Sequence, residues 1–186
     1  MIKKIICIIL CLFVLCSCAK TETPEYTYEI KSTAVDMSAY TGVTSTNHNF
    51  REITLNELLN VIDNKSSGVF FIGFSLCNCC QRVTRYLNEV AQELNVTVYY
   101  IDAYNEETPL TEKKNQEILY EYLGDIISLD ENGQKILLTP HVFSIINGKP
   151  IGSQICFDNF DIDASEDQLN KFKDAYRKIL KPFAKD

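Results

Sequence analysis

The sequence has little positive charge, few glycines and prolines, and no long hydrophobic segment. Its 18 lysines and arginines stand against 25 aspartates and glutamates, a net charge of −7, which argues against nucleic acid as a partner. With 7 glycines, 5 prolines and 46% apolar residues in 186, the chain is not a wholly disordered or low-complexity protein. The longest uninterrupted apolar run, residues 5–15, is too short for a membrane-spanning helix, which needs about 20 residues. The length predicts one domain plus a tail.

Cysteine, by contrast, is abundant, and its 8 residues fall into two groups. The first group lies within the first eighteen residues and comprises Cys7, Cys11, Cys16 and Cys18. The second group lies in the body of the chain and comprises Cys77, Cys79, Cys80 and Cys156. Because the first group falls inside a segment with the pattern of an export signal, the two groups need separate explanations.

Residues 1–17 have the pattern of a secretory signal peptide. Two lysines precede the apolar run, as in the basic and hydrophobic regions of such signals. The following Leu15-Cys16-Ser17-Cys18 resembles a bacterial lipobox, in which the chain is cut before the last cysteine and that thiol receives a diacylglyceryl group. This interpretation predicts lipidation of Cys18 and an anchor on the extracytoplasmic face of the cell membrane. The alternatives are an ordinary secretory peptide or an uncleaved anchor.

The mature chain divides into a polar segment and an α/β domain. Residues 18–49 show no sustained period and are expected to form a flexible tether, with a short strand allowed around residues 26–30. From residue 50 to 186 the order predicted is α–β–α–β–α–β–β–α, with no repeat and no second domain. Three signals are strongest: a continuous apolar strand at 69–74, an amphipathic helix from about 77 to 94, and a hairpin across Asn147-Gly148.

A C-x-x-C motif stands between that apolar strand and that amphipathic helix, in the run Cys77-Asn78-Cys79-Cys80. This placement is typical of a redox site rather than of a structural one. A thiol at a helix N-terminus faces unpaired N–H groups and the positive end of the helix dipole, which favour its thiolate. We therefore expect Cys77 to be the attacking thiolate and Cys80, one turn further, to be the resolving thiol.

Over residues 50–183 the chain resembles the thioredoxin superfamily. The resemblance is carried by the strand before the C-x-x-C motif, by Thr139-Pro140 ahead of another strand, and by the Asn147-Gly148 hairpin before a closing helix. It implies a thioredoxin-like α/β fold, with a central mixed sheet flanked by helices and here an extra N-terminal strand and helix. It also implies that Pro140 is cis, packs beside the active cysteines and forms part of the substrate groove with Thr139.

The motifs also look like those of thioredoxin-like lipoproteins of Gram-positive bacteria, including those that assist disulfide formation in bacteriocins. That resemblance implies a membrane-anchored thiol–disulfide oxidoreductase without a cofactor or metal. Its partners would be the thiols and disulfides of secreted or surface proteins, together with a redox partner of unknown identity. Two functions from other classes stay open: a copper-binding module, since thiolates with an imidazole suit copper, and a non-catalytic binding or immunity-type module on the same fold.

The sequence departs from thioredoxin at three places around the motif. Leu76 stands where thioredoxin has tryptophan, and this chain has no tryptophan at all. Phe71 stands where thioredoxin has a buried aspartate to which a proton relay is often assigned, and Asn78-Cys79 replaces Gly-Pro. The direction of the reaction, whether oxidation, reduction or isomerisation, therefore stays open.

Three further residues have more than one interpretation. Cys79 is predicted to be a spectator, with a second attacking thiol or an oxidant-sensitive site as alternatives. Cys156 is predicted to be a core residue, with a second disulfide or a regulatory thiol as alternatives. His141 is predicted to be a strand residue with a hydrogen-bonded or solvated ring. Its alternative roles are stabilisation of the thiolate and copper ligation with Cys77 and Cys80.

Overall fold

The structure is a computed structural model, which describes residues 22–156 and 165–185. The predicted signal peptide 1–17 and the predicted lipidation site Cys18 lie outside these residues. Across the two described ranges, no helix combines the length and apolar character that crossing a membrane requires.

The described chain forms seven strands and four α-helices, in the predicted order with three short strands added. The predicted α–β–α–β–α–β–β–α core is found, together with a leading strand and a small two-stranded hairpin. The elements are β1 (Phe50–Glu52), α1 (Leu55–Asp63), β2 (Gly68–Gly73), α2 (Asn78–Glu93), β3 (Val98–Asp102), α3 (Lys113–Leu123), β4 (Ser128–Leu129), β5 (Lys135–Ile136), β6 (His141–Ile146), β7 (Lys149–Ile155) and α4 (Glu166–Leu180), with 3₁₀ turns at Gly124–Ile126 and Lys181–Phe183.

Five of the strands form a mixed sheet in the order β1-β3-β2-β6-β7. Strands β1, β3 and β2 are parallel, whereas β6 is antiparallel to β2, and β7 to β6. Parallel neighbours need a crossover, and α2 supplies it between β2 and β3. The predicted α/β fold with a central mixed sheet is confirmed.

Strand β2 lies at the centre of the sheet and separates two hydrophobic cores. All six of its residues are buried. Because side chains alternate along a strand, Val69 and Phe71 face one core with α2 and α4. Phe70 and Ile72 face the other core with α1 and α3. Helices therefore cover both faces, and the continuous apolar run in the sequence is explained by burial on both sides.

The hairpin between β6 and β7 turns at Asn147 and Gly148, as the sequence predicts. Both residues have positive φ, 54° and 78°, which is the backbone that a two-residue hairpin turn of this kind requires. A side chain at Gly148 would also place its Cβ 2.6 Å from the carbonyl oxygen of Ile62. This turn fixes the register of β6, and β6 begins directly after Pro140.

The sequence predicts a flexible tether over residues 18–49. For the described part of it, residues 22–49, this prediction is wrong, because the segment packs against the domain. Met37, Tyr40 and Val43 are buried in the core that contains α2 and α4. The chain also pairs with β1 through Thr33 and Glu52, while the strand allowed around 26–30 is not formed. These contacts join residues far apart in sequence, so local periodicity contains no sign of them.

Candidate active site

Cys77 is the N-cap residue of α2. Its sulfur accepts a hydrogen bond from the backbone N–H of Cys80, with Sγ and N 3.2 Å apart. A Ser or Asp side chain at a helix N-terminus does the same with its oxygen, so here a thiol takes the capping position. The side chain is half-buried, which leaves the sulfur accessible to a partner. Cys77 therefore lies at the start of a helix, as the sequence predicts.

The loop that precedes β6 forms the opposite side of the site. The Thr139–Pro140 peptide bond is cis, as the resemblance implied. The Cys77 sulfur lies 3.5 Å from the carbonyl oxygen of Thr139 and 3.7 Å from its hydroxyl oxygen. The carbonyl accepts a hydrogen bond from the protonated thiol, whereas the hydroxyl donates to the sulfur. The structure thus brings together Cys77, Cys80, Thr139 and Pro140.

The environment of Cys77 favours its thiolate and lowers its pKa to about 6. The largest contribution is the hydrogen bond from the Cys80 thiol; the N–H groups of Cys80 and Cys79 and the Thr139 hydroxyl add to it, against an opposing effect of burial. A pKa of about 6 means that most Cys77 is ionised at neutral pH. The thiolate is the nucleophilic form of cysteine, so this sulfur is prepared for attack on a disulfide.

Cys80 has the opposite environment. Its side chain has no exposed surface, and its pKa is raised, first by the hydrogen bond it donates to Cys77 and then by burial. It lies against the end of β2, where a Cβ on Gly73 would come within 3.3 Å of the Cys80 sulfur and 2.6 Å of the Phe71 ring. The absence of a side chain at residue 73 is therefore what makes room for this thiol.

Two tyrosine hydroxyls lie in the buried region below Gly73, where Phe71 takes the place of thioredoxin's aspartate. The hydroxyl oxygens of Tyr40 and Tyr100 are 3.0 Å apart, and Tyr100 also donates to the carbonyl oxygen of Gly73 at 3.4 Å. Burial raises the pKa of both phenols, so both stay neutral. Tyr40 comes from the segment that the sequence predicted to be a tether, and sequence reasoning missed it.

Cys79 and Cys156 form a disulfide, with Cα atoms 6.2 Å apart. The prediction that Cys156 is a core residue is therefore wrong, and Cys79 is not a free spectator thiol. Both residues are half-buried. Cys79 lies in the first turn of α2, and Cys156 directly follows β7. The sequence carried one signal for this pair: two cysteines left over after the motif, in a chain expected to be exported to an oxidising compartment.

His141 is buried in β6 and does not act on the thiolate through charge. It is 1% exposed, and burial lowers its pKa to about 4, so the ring is neutral at physiological pH. Its neighbour is the Phe143 ring, with centroids 5.1 Å apart, and its Nε2 has no hydrogen-bond partner among the described residues. The ring is therefore not solvated and its Nε2 is not hydrogen-bonded, contrary to the prediction, whereas the predicted place of His141 in a strand is confirmed. Within residues 22–156 and 165–185, no cluster of three His, Cys, Asp or Glu side chains is arranged to hold a metal.

Apolar side chains border Cys77 on the surface. Leu76, which stands in place of thioredoxin's tryptophan, is 88% exposed, and Leu138 is 38% exposed next to Thr139. A half-buried thiolate with a second thiol in hydrogen-bond contact can carry out thiol–disulfide exchange.

Solved structures with similar folds include several thioredoxins. Thioredoxin O2 from Arabidopsis thaliana, in its oxidised state, is 13% identical; the match covers 75% of this chain and 98% of that one, with a TM-score of 0.44. Thioredoxin from Trypanosoma brucei brucei is 16% identical, covering 70% and 89%, with a TM-score of 0.42. A putative oxidoreductase with a thioredoxin fold is 13% identical, covering 66% and 93%, with a TM-score of 0.40.

No protein-family model and no curated protein matches the sequence. The assignment of a thioredoxin-like fold rests on the chain itself. Its sheet has the order β1-β3-β2-β6-β7, its C-x-x-C motif begins the helix after the central strand, and a cis proline faces that motif.

Proposed function

We propose that the protein is a thiol–disulfide oxidoreductase that works through Cys77 and Cys80. One observation carries the proposal: the two thiols are in hydrogen-bond contact but have opposite environments, with Cys77 half-exposed and of lowered pKa, and Cys80 buried and of raised pKa. A nucleophile that is ionised and accessible, followed by a thiol that stays protonated until needed, is the arrangement that two-step disulfide exchange uses.

The exchange proceeds in two steps when a substrate disulfide is reduced. The Cys77 thiolate attacks one sulfur of the substrate disulfide, forms a mixed disulfide and releases the other substrate sulfur as a thiolate. Cys80 then loses its proton and attacks the Cys77 sulfur, which forms the Cys77–Cys80 disulfide and releases the second substrate sulfur. Two electrons pass to the substrate, and oxidation of a substrate dithiol is the reverse sequence. The Thr139–Pro140 loop, which faces Cys77, lines the groove for the substrate chain.

The location proposed is the extracytoplasmic face of the cell membrane, with a lipid anchor at Cys18. The lipobox-like sequence supports it, and a disulfide between Cys79 and Cys156 is the kind of bond that persists outside the cytoplasm. Substrates would then be secreted or surface proteins, including disulfide-containing peptides of the bacteriocin type, with a separate redox partner to recycle the Cys77–Cys80 pair. Replacement of Cys18 by serine should release the protein from the membrane fraction, and persistence there would contradict the anchor.

The direction of the exchange, whether oxidation, reduction or isomerisation, depends on the reduction potential of the Cys77–Cys80 pair. Equilibration with glutathione buffers measures this potential. A value of about −120 mV would indicate an oxidant of substrate dithiols, and a value of about −270 mV a reductant of substrate disulfides.

Trapping of mixed disulfides tests the function itself. A Cys80→Ser protein can complete the first attack but not the second, so it should accumulate covalent adducts with its partners that disappear on reduction. The matched control is Cys77→Ser, which should form none. Absence of adducts from the Cys80→Ser protein, produced in its own cellular location, would argue against exchange with protein substrates.

A further inference from the structure

The active site lies between two parts of the chain that are far apart in sequence. One is the first turn of α2, which carries Cys77 and Cys80. The other is the Thr139–Pro140 loop, which leads into β6. The Cys77 sulfur meets Thr139 at 3.5 and 3.7 Å, distances at the long end for hydrogen bonds to sulfur. A shift of a few tenths of an ångström between the two parts would therefore weaken these contacts.

The Cys79–Cys156 disulfide links the first turn of α2 covalently to the end of β7, and β7 is hydrogen-bonded to the start of β6 next to the Thr139–Pro140 loop. Cys79 lies in the first turn of α2, two residues after Cys77. Cys156 follows Ile155, and Ile155 pairs with His141, the residue after Pro140. Cys77 is therefore connected to Thr139 in two ways. One connection is direct, through the hydrogen bonds between the Cys77 sulfur and Thr139. The other passes through the Cys79–Cys156 disulfide and the pairing of Ile155 with His141.

We propose that the Cys79–Cys156 disulfide is a positioning element that holds Thr139 against Cys77 and thereby sets the reactivity of the Cys77 thiolate. The Thr139 hydroxyl is the group through which it acts, since this hydroxyl donates to the sulfur. This inference rests on the proposed function in one respect: the thiol whose reactivity it concerns, Cys77, is the one proposed to attack the substrate disulfide. Neither cysteine of the bridge takes part in the exchange.

The bridge also makes the site sensitive to reductants. Both of its cysteines are half-buried, so the bridge is not sealed in the core. A dithiol reductant that opens it gives up two electrons and becomes a disulfide, while Cys79 and Cys156 become thiols. The consequence is a less reactive Cys77, because the first turn of α2 then loses its covalent link to the end of β7 and, through the β6–β7 pairing, its restraint against Thr139.

A purely stabilising bridge makes a different prediction. A disulfide between cysteines 77 positions apart restricts the unfolded chain, and by that route it raises stability without altering the native site. In that case the pKa of Cys77 would be the same with and without the bridge. The pKa of Cys77, rather than stability, is therefore the quantity that separates the two roles.

A double-mutant cycle tests the proposal. Four proteins are compared with their Cys77–Cys80 pair reduced: wild type with the bridge intact, Cys79→Ser/Cys156→Ser, Thr139→Val, and the triple variant. In each, Cys77 and Cys80 are the only free thiols among residues 22–156 and 165–185, and peptide mapping reads their label apart from any on the first eighteen residues. Loss of one hydrogen bond to the sulfur should lower the alkylation rate of Cys77 at pH 6 about two- to tenfold. The bridge-less and Thr139→Val proteins should show similar losses, and the triple variant no more than either.

Two outcomes would overturn the proposal. One is an unchanged Cys77 pKa in the bridge-less protein; the other is strictly additive losses in the triple variant, which would mean that bridge and hydroxyl act independently. Val61→Ala, which loosens the core on the opposite side of the sheet, is the control for general destabilisation and should leave the pKa of Cys77 unchanged.

A second comparison needs no substitution, in case the bridge-less variant does not fold. Wild-type protein is treated with a mild thiol that makes Cys77 and Cys80 available to alkylation, and with a stronger dithiol that also makes Cys79 and Cys156 available. The Cys77 pKa should be higher in the second state, and equal values would contradict the proposal. These titrations use no substrate, so a failure to trap partners with Cys80→Ser would refute the proposed function without touching this result, and the reverse also holds.

Discussion

Cys77 and Cys80 lie three residues apart in one turn of helix, yet they differ in every property that governs thiol reactivity. Cys77 caps the helix, is half-exposed and accepts hydrogen bonds, and its pKa is about 6. Cys80 lies inside the core, donates to Cys77 and has a raised pKa. The difference shows that the two cysteines of this C-x-x-C motif have separate environments and therefore separate roles. The hydrogen bond from the Cys80 thiol, with the N–H groups of the helix N-terminus, favours the thiolate of Cys77. The same hydrogen bond, with burial in the core, keeps Cys80 protonated.

The largest effect should come from exchanging the sulfur of one thiol for oxygen. Cys77→Ser should abolish disulfide exchange, because the hydroxyl is not ionised at neutral pH, while stability should change little because serine is a good N-cap residue. Cys80→Ser should keep the first attack and lose turnover. Rates of mixed-disulfide formation and of turnover, measured separately with a model disulfide, check this. Equal loss of the first step in both variants would remove the distinction between the two thiols.

A side chain at Gly73 should disturb the buried thiol. Gly73→Ala places a methyl group against Phe71 and 3.3 Å from the Cys80 sulfur, and overpacking of this kind costs about 1–3 kcal/mol. Gly68→Ala is the matched control, since its Cβ would meet the Phe70 ring at 2.9 Å at the far end of the same strand. Denaturant unfolding should show both costs. Only Gly73→Ala should slow the step in which Cys80 resolves the mixed disulfide, and a similar slowing by Gly68→Ala would contradict the account.

The smallest effect on the exchange reaction is expected from a substitution in the buried pair Tyr40 and Tyr100. Tyr40→Phe removes one buried hydrogen bond with Tyr100 and should lower the free energy of unfolding by about 1 kcal/mol. The rate at which Cys80 resolves a mixed disulfide should stay within about twofold of the wild-type rate. Such a change in the activation free energy is well below the roughly 1.4 kcal/mol that corresponds to a factor of ten. A tenfold slowing would show instead that the Tyr40 hydroxyl takes part in moving the proton of Cys80.

The sequence predicts those parts of the molecule whose signals are local. The apolar run of β2 is buried on both faces, the capped helix follows it with Cys77 at its start, and Asn147-Gly148 turns the hairpin. Each of these depends on residues a few positions apart, so composition and periodicity are enough to find them.

The features that the sequence did not predict all depend on contacts between distant residues. Tyr40 and Met37 fill gaps along a domain whose core begins after them in the chain, so their surroundings give no periodic pattern. Cys79 finds Cys156 across 77 positions, and spacing alone does not identify a partner at that distance. His141 follows the proline of the site but is turned into the core by the strand alternation of β6. His141 therefore follows the Thr139–Pro140 loop in sequence without being part of the site.

Cys77, and not Cys80, is the ionised thiol at neutral pH. The most direct measurement is the alkylation rate of the reduced protein between pH 4 and pH 10, with peptide mapping of the modified cysteine in each sample. We expect the rate to rise with pH and to reach half of its plateau near pH 6, with the label on Cys77, while Cys80 stays unmodified in the folded protein. A midpoint close to the ordinary cysteine pKa of about 8.5, or label on Cys80 first, would contradict it.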